Sequence, residues 1–85
     1  MKITFEEQGF ADYLYWRDVN LKILDRINGL IQSIARDGAM SGIGKPEKLK
    51  RRNGVYSRRI DDANRLVYKY SPSVVTIVAC KGHYE

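Results

Sequence analysis

Between Gly44 and Ile60 the chain reads "GKPEKLKRRNGVYSRRI", seven basic residues and a single acid, Glu47. A carboxylate set among cations is favoured in its charged form, which is what a proton acceptor needs. Arg65 follows a few residues on, and the chain ends in His83, Tyr84 and Glu85; His83 is the only histidine. Guanidinium groups match phosphate with two parallel donors, and histidine titrates nearer neutrality than any other side chain. These residue types suit one reaction, the cleavage of RNA by its own 2′-hydroxyl. A base removes the 2′-OH proton, cations neutralise the charge that builds on the phosphate oxygens, and an acid protonates the leaving 5′-oxygen. Glu47 is the candidate base, Arg59 and Arg65 are the candidate phosphate ligands, and His83 is the candidate acid. Such a reaction calls for no metal and no cofactor.

The basic stretch also carries the whole cationic excess. Residues 1–43 sum to −1 and residues 61–85 to zero, so the net +5 comes from a local +6. A patch of one sign implies a polyanionic partner, and the phosphate backbone of nucleic acid is the usual one. Lys45, Lys48, Lys50, Arg51, Arg52 and Arg58 are the candidates for docking on RNA. The residues alone leave two readings open: a groove that cuts RNA, or a basic module that binds it while His83 and Tyr84 stack on bases. A DNA-binding regulator fits less well, because both expected helices pair mixed charge with an apolar stripe.

What must position these residues is small. Eighty-five residues, 44% of them hydrophobic, make one domain with a single core, spanning residues 1–85. One cysteine excludes an internal disulfide, and with one histidine the inventory is too small for a zinc finger. Cys80 lies in the apolar run "VVTIVAC", which marks it as a small buried residue rather than a reactive thiol. That run is far too short to span a membrane, and "MKITFEEQ" turns acidic where a signal peptide would be apolar. A soluble, cytoplasmic protein without a membrane partner is expected.

"KITFE" alternates like a strand. A helix is expected from about residue 7 to 17, burying Phe10, Tyr13, Leu14 and Ala11. Asn20 can cap a second helix, in which Ile23, Ile27, Leu30, Ile31 and Ile34 form a stripe that ends at Gly38. Residues 37–46 read as a loop. Strands follow in "KLK", "VYSRRI", "RLVYKY" and "VVTIVACK", joined by hairpin-length turns. The result is an α+β fold: an N-terminal strand and an antiparallel two-helix hairpin on a mainly antiparallel sheet of four to five strands. The last strand is apolar throughout and is expected to be central and covered on both faces. Alternation puts Leu66, Tyr68 and Tyr70 in the core with Tyr56 and Ile60, and puts Arg59 on the open face shared by Arg65. Arg58 is expected to send its head out at the sheet edge.

Five motifs occur in order: "LYW" at 14–16, "GKPEKLK" at 44–50, "YSRRI" at 56–60, "RLVY" at 65–68 and "AC-x-x-HY" at 79–84. Together they resemble the YoeB branch of the RelE-like toxins of bacterial type II toxin–antitoxin systems, over essentially the whole chain. The resemblance implies a RelE-like fold and a ribonuclease that cuts messenger RNA in the ribosomal A site. It also implies neutralisation by a YefM-like antitoxin, with operator DNA contacted only through the antitoxin complex; a homodimer stays open. Carried over by position, the resemblance puts the catalytic glutamate on Glu47, the arginines on Arg59 and Arg65, a nearby lysine on Lys50, and the terminal pair on His83 and Tyr84. The chain departs from the family pattern in having Tyr56 where a tryptophan is common, a shorter "KRRNG" turn, and Glu85 after the tyrosine.

Overall fold

The computed structural model describes residues 1–83, and Tyr84 and Glu85 lie outside it. The described residues run β1 (Lys2–Phe5), α1 (Glu7–Val19), α2 (Leu21–Asp37), β2 (Glu47–Lys48), β3 (Val55–Arg59), β4 (Arg65–Ser71) and β5 (Val74–Ala79). The strands form one sheet in the order β1-β5-β4-β3-β2. β1 runs parallel to β5 and every other pairing is antiparallel, so the α+β expectation holds. No helix among the described residues is long and apolar enough to cross a membrane.

One residue joins the two helices. Asn20 ends α1 by donating its N–H to the Trp16 carbonyl (2.9 Å), and its Oδ1 opens α2 by accepting from the N–H groups of Lys22 and Ile23. This is N-capping by a short polar side chain, as the sequence implied. The isoleucine stripe of α2 is buried as expected, with Ile27, Leu30, Ile31 and Ile34 packed on Leu66, Tyr68, Val75 and Ile77 of the sheet. Each such side chain contributes about 1.5–3 kcal/mol.

The buried face of α1 differs from the expected one. Gly9, Asp12 and Trp16 face the sheet, Tyr13 and Leu14 are half-buried, Ala11 is exposed, and Phe10 is 50% exposed and stacks edge-on against Phe5. The cause is a close approach of backbones: a Cβ at position 9 would collide with the Ile77 carbonyl oxygen. Glycine there brings α1 onto β5 and fixes its rotation.

β5 also departs from expectation. It has neighbours on both edges, but β4 is the central strand, and the face of β5 away from the helices is only half covered. Both helices lie on one side of the sheet. The other side carries a smaller cluster of Leu49, Val55, Val67 and Ala79, with Val78 against it. A bulge at Val78 interrupts the register at the end of β5: Tyr68 pairs with Ile77, but Val67 pairs with Ala79. The extra residue reverses the alternation. Ile77 therefore faces the helices, Ala79 joins the open-face cluster, and Cys80 turns back into the core.

The expected strand "KLK" begins earlier, at Glu47, which pairs with Ser57 across β3. The loop before it is organised by Arg58, and here the sequence reading is corrected. Arg58 is fully buried on the helix side, so it is not an RNA-docking residue. Its Nε donates to the Tyr68 hydroxyl (2.9 Å) and Nη1 to Ser33 Oγ (3.0 Å) and the Ile43 carbonyl (2.9 Å). Nη2 donates to the carbonyls of Gly38 (2.8 Å) and Ser41 (2.6 Å). A buried guanidinium needs every donor met, and the loop after α2 folds around this one to meet them.

Candidate active site

The open face of the sheet assembles the site by register. Glu47 pairs with Ser57, Ser57 with Val67, and Val67 with Ala79, so these four side chains form one row across four strands. Arg65 lies two residues from Val67 on the same face, at the start of β4. Beyond Ala79 the chain crosses Cys80 to Gly82 and brings His83 to the end of the row. Glu47, Arg65 and His83 thus meet around a pocket of about 770 Å³, with Leu49 in its wall and Lys48, Lys50 and Arg51 at its rim.

Within the pocket the charges are arranged unequally. The Arg65 side chain is only 12% exposed; its Nη2 stands 3.8 Å from Glu47 Oε2, while Glu47 is 66% exposed. Arg65 Nε donates to the buried Ser57 hydroxyl (3.1 Å), which fixes the plane of the fork. Nη2 is shut off from solvent and has no hydrogen-bond partner among the described residues. An underused donor of this kind is expensive in a resting protein, and the carboxylate it pairs with is that of Glu47, beyond hydrogen-bond reach at 3.8 Å.

Of the candidate docking cations, Lys48, Lys50 and Arg51 line the pocket. Lys45, held at a positive φ of 51°, and Arg52 are exposed outside the pocket wall. Arg59 is the cross-strand partner of Arg65, as alternation required, but its head turns aside to an ion pair with Asp62. That pair is solvent-exposed, and such pairs are worth no more than about 1 kcal/mol, so a phosphate can displace Asp62 at little cost. Tyr84 lies outside the described residues.

Three residues that support the site were given no role by the sequence. Ser57 aligns Arg65. Asp12 and Trp16 of α1 clamp the two backbone groups of Cys80: Asp12 Oδ2 accepts its N–H (3.0 Å), and the Trp16 indole N–H donates to its carbonyl (2.8 Å). Burial, and then the nearby Asp12 carboxylate, push the Cys80 thiol up to about 12, which makes it inert packing as expected. The signal for Asp12 and Trp16 was their spacing with Gly9, a second helical stripe in which only Trp16 is hydrophobic.

Known proteins match the chain over nearly its whole length. The model of the YoeB-like toxin of bacterial type II toxin–antitoxin systems matches residues 5–84. Toxin YoeB of Streptomyces coelicolor is 48% identical over 85 residues, covering 99% of this chain and 100% of that protein. The structure of the YoeB dimer from Staphylococcus aureus matches with a TM-score of 0.94 and 48% identity, covering 99% of this chain and 98% of that one. A chain of the heterotetrameric YoeB–YefM toxin–antitoxin complex from Staphylococcus aureus matches with a TM-score of 0.89 and 49% identity, with the same coverage. The motif resemblance and the full-length matches coincide: this chain belongs to the YoeB-like family of toxins of bacterial type II toxin–antitoxin systems.

Proposed function

We propose that the chain is a ribosome-dependent endoribonuclease that cuts messenger RNA in the ribosomal A site and so stops translation. The observation that carries this reading is the convergence of Glu47, Arg65 and His83, from three separate elements, on one cationic pocket. The Glu47 carboxylate takes the proton of the 2′-hydroxyl at the scissile phosphate. The 2′-oxygen attacks phosphorus, and Arg65 meets the growing charge on the phosphate oxygens, with Arg59 released from Asp62 to join it. His83 gives its proton to the departing 5′-oxygen, leaving a 2′,3′-cyclic phosphate and a 5′-hydroxyl. Tyr84 stacks on a nucleobase or bonds the phosphate, and Lys45, Lys48, Lys50, Arg51 and Arg52 dock the RNA and ribosome through phosphates.

The whole of residues 1–85 acts as one domain in the cytoplasm, where ribosomes are. The YoeB–YefM complex of Staphylococcus aureus supports a YefM-like antitoxin as the partner of this chain, and the YoeB dimer supports a homodimer. A cationic groove is silenced most directly by an acidic segment that folds over it on binding. Operator DNA is reached through that complex only.

The test is Glu47→Gln, which keeps size and polarity but cannot accept the proton. Cleavage of ribosome-bound message should fall by roughly 10²–10⁴-fold with the unfolding midpoint unchanged. A well-folded variant that cuts normally would remove Glu47 from the mechanism, whereas a wild-type chain that binds ribosomes without cutting would leave a binding module.

A further inference from the structure

The peptide at Gly82, one residue before His83, is held from both sides by the start of β4. Its N–H donates to Asn64 Oδ1 (2.9 Å), and its carbonyl accepts the backbone N–H of Arg65 (2.9 Å). Asn64 is itself fixed. Asp61 Oδ1 accepts from the N–H groups of Ala63 (2.9 Å) and Asn64 (2.8 Å) and from Asn64 Nδ2 (3.0 Å). The Asn64 carbonyl closes the same turn by accepting from the N–H groups of Ile60 (3.0 Å) and Asp61 (3.2 Å). Only the side-chain oxygen remains, and it is aimed at Gly82. Asn64 is nearly buried, so water competes poorly for that oxygen.

Gly82 sits at a φ of +93°, a conformation that L-residues rarely adopt, and a Cβ there would meet nothing within 4 Å. A side chain at position 82 would therefore meet no clash and would be strained by the backbone angle alone. Among the described residues His83 makes no hydrogen bond of its own, so its place in the pocket is inherited from the Gly82 peptide. Residues 64 and 65 thus do two things at once. Arg65 sends its guanidinium into the pocket, and the same dipeptide fixes the direction from which His83 arrives.

We propose that Asn64 is a positioning residue of the cleavage reaction, holding the Gly82 peptide so that His83 is registered against Arg65. The proposal rests on the endoribonuclease reading of the same pocket. An acid misplaced by about 1 Å costs on the order of a hundredfold in rate, while RNA docking through the rim cations is untouched.

The experiment measures single-turnover cleavage of ribosome-bound messenger RNA, ribosome affinity, and the backbone amide of Gly82 by hydrogen exchange and NMR. Asn64→Ala should lower the maximal cleavage rate about 10–100-fold, leave ribosome affinity within about twofold, and expose the Gly82 amide to exchange. Gly82→Ala, which disturbs the same peptide from the tail side, should reproduce that pattern and covers the case in which Asn64→Ala unfolds. In a His83→Gln background, Asn64→Ala should cause no further loss, because residues acting as a unit are not additive. An additive loss in that background, or a Gly82 amide equally protected in Asn64→Ala, would overturn the proposal. Failure of the wild-type chain to cut would overturn the reaction assignment instead, and Gly82 exchange would then decide alone whether Asn64 holds the tail.

Discussion

Arg65 and Glu47 face each other at 3.8 Å from strands that are not neighbours, β4 and β2, with β3 between them. The residue that bridges the gap is Ser57 on β3, cross-strand partner of Glu47 and hydrogen-bond acceptor for Arg65 Nε. The fork is therefore aligned before any phosphate arrives, which is what preorganised charge stabilisation requires.

Arg65→Ala should lose more in cleavage rate than in ribosome affinity, by roughly 10²–10³-fold, since its contact strengthens as charge develops. Arg65→Lys should recover little, because an ammonium cannot present two parallel donors to phosphate and one to Ser57. Ser57→Ala keeps the charge but frees the fork, and an intermediate rate is expected. Quench-flow cleavage and ribosome binding across this series check the ordering. A loss confined to affinity would make Arg65 a docking cation, the role proposed for Lys48 and Arg51.

The second prediction concerns Arg58. Removing Arg58 leaves buried hydroxyl and carbonyl acceptors without their donor, at about 1–3 kcal/mol for each group left unsatisfied, a large share of the roughly 5–15 kcal/mol typical of a domain. Arg58→Met should therefore shift the urea midpoint steeply downward, and Arg58→Lys nearly as far, because three rotatable donors cannot span Tyr68, Ser33 and the loop carbonyls. Equilibrium unfolding decides. A lysine variant of normal stability that bound RNA poorly would return Arg58 to the docking surface.

The contrast between these two arginines shows how much the sequence disclosed. Period-2 alternation placed Arg65 on the open face and Arg58 on the side of Tyr56 and Ile60, but the expectation that the Arg58 head leaves at the sheet edge to dock RNA fails, because it is fully buried. What it lacked was the reason a charge can stay in the core, namely a loop of carbonyls from residues 38–43 that no local pattern announces. The isoleucine stripe of α2 and the Asn20 cap were legible because burial and capping act on single residues at fixed spacings. α1 was misread because its rotation is set by the contact of Gly9 with the β5 backbone, a tertiary fact. The bulge at Val78 was equally invisible, yet it decides which face Ala79 and Cys80 take. The candidate site residues Glu47, Arg65 and His83 stood out by charge and type, whereas Ser57 acts on Arg65 through its hydroxyl, and Asp12, Trp16 and Asn64 act on the backbone of Cys80 and Gly82.

Cys80 yields a pH prediction. Its thiol is pushed up to about 12 in the folded chain, first by burial and then by Asp12, whereas an unfolded cysteine ionises near ~8.5. The folded state therefore holds this proton more tightly. The stability it contributes is fully present below about pH 8.5 and is lost progressively as pH rises towards 12. Between about pH 7.5 and 10.5 the wild-type urea midpoint should fall further than that of Cys80→Ala, which has nothing to titrate. Alkylation of the native thiol at about pH 8 should also be ~100-fold slower or more than in the denatured chain. Equal midpoint shifts in the two proteins would show that Cys80 is not proton-linked to folding.

The last prediction concerns where the tail ceases to be structure and becomes chemistry. Cys80 is clamped by Asp12 and Trp16, and Gly82 by Asn64 and Arg65, so the fold reaches as far as residue 82. His83, the one described residue beyond it, makes no hydrogen bond to the other described residues. A chain stopped after Gly82 should keep its unfolding midpoint and lose cleavage entirely, and one lacking only Glu85 should cut normally. Trp16 is the only tryptophan and its indole N–H touches the Cys80 carbonyl (2.8 Å), so its emission reports the clamp directly. The spectrum should be unchanged by the truncation after Gly82. In a chain stopped after Ala79 it should shift to the red, as the indole loses its carbonyl partner and gains water. The antitoxin should still bind the first truncation if its acidic segment grips the rim cations rather than the tail. Messenger cleavage at the normal rate by a chain without His83 would take the terminal residues out of the reaction and leave Glu47 and Arg65 to find another acid.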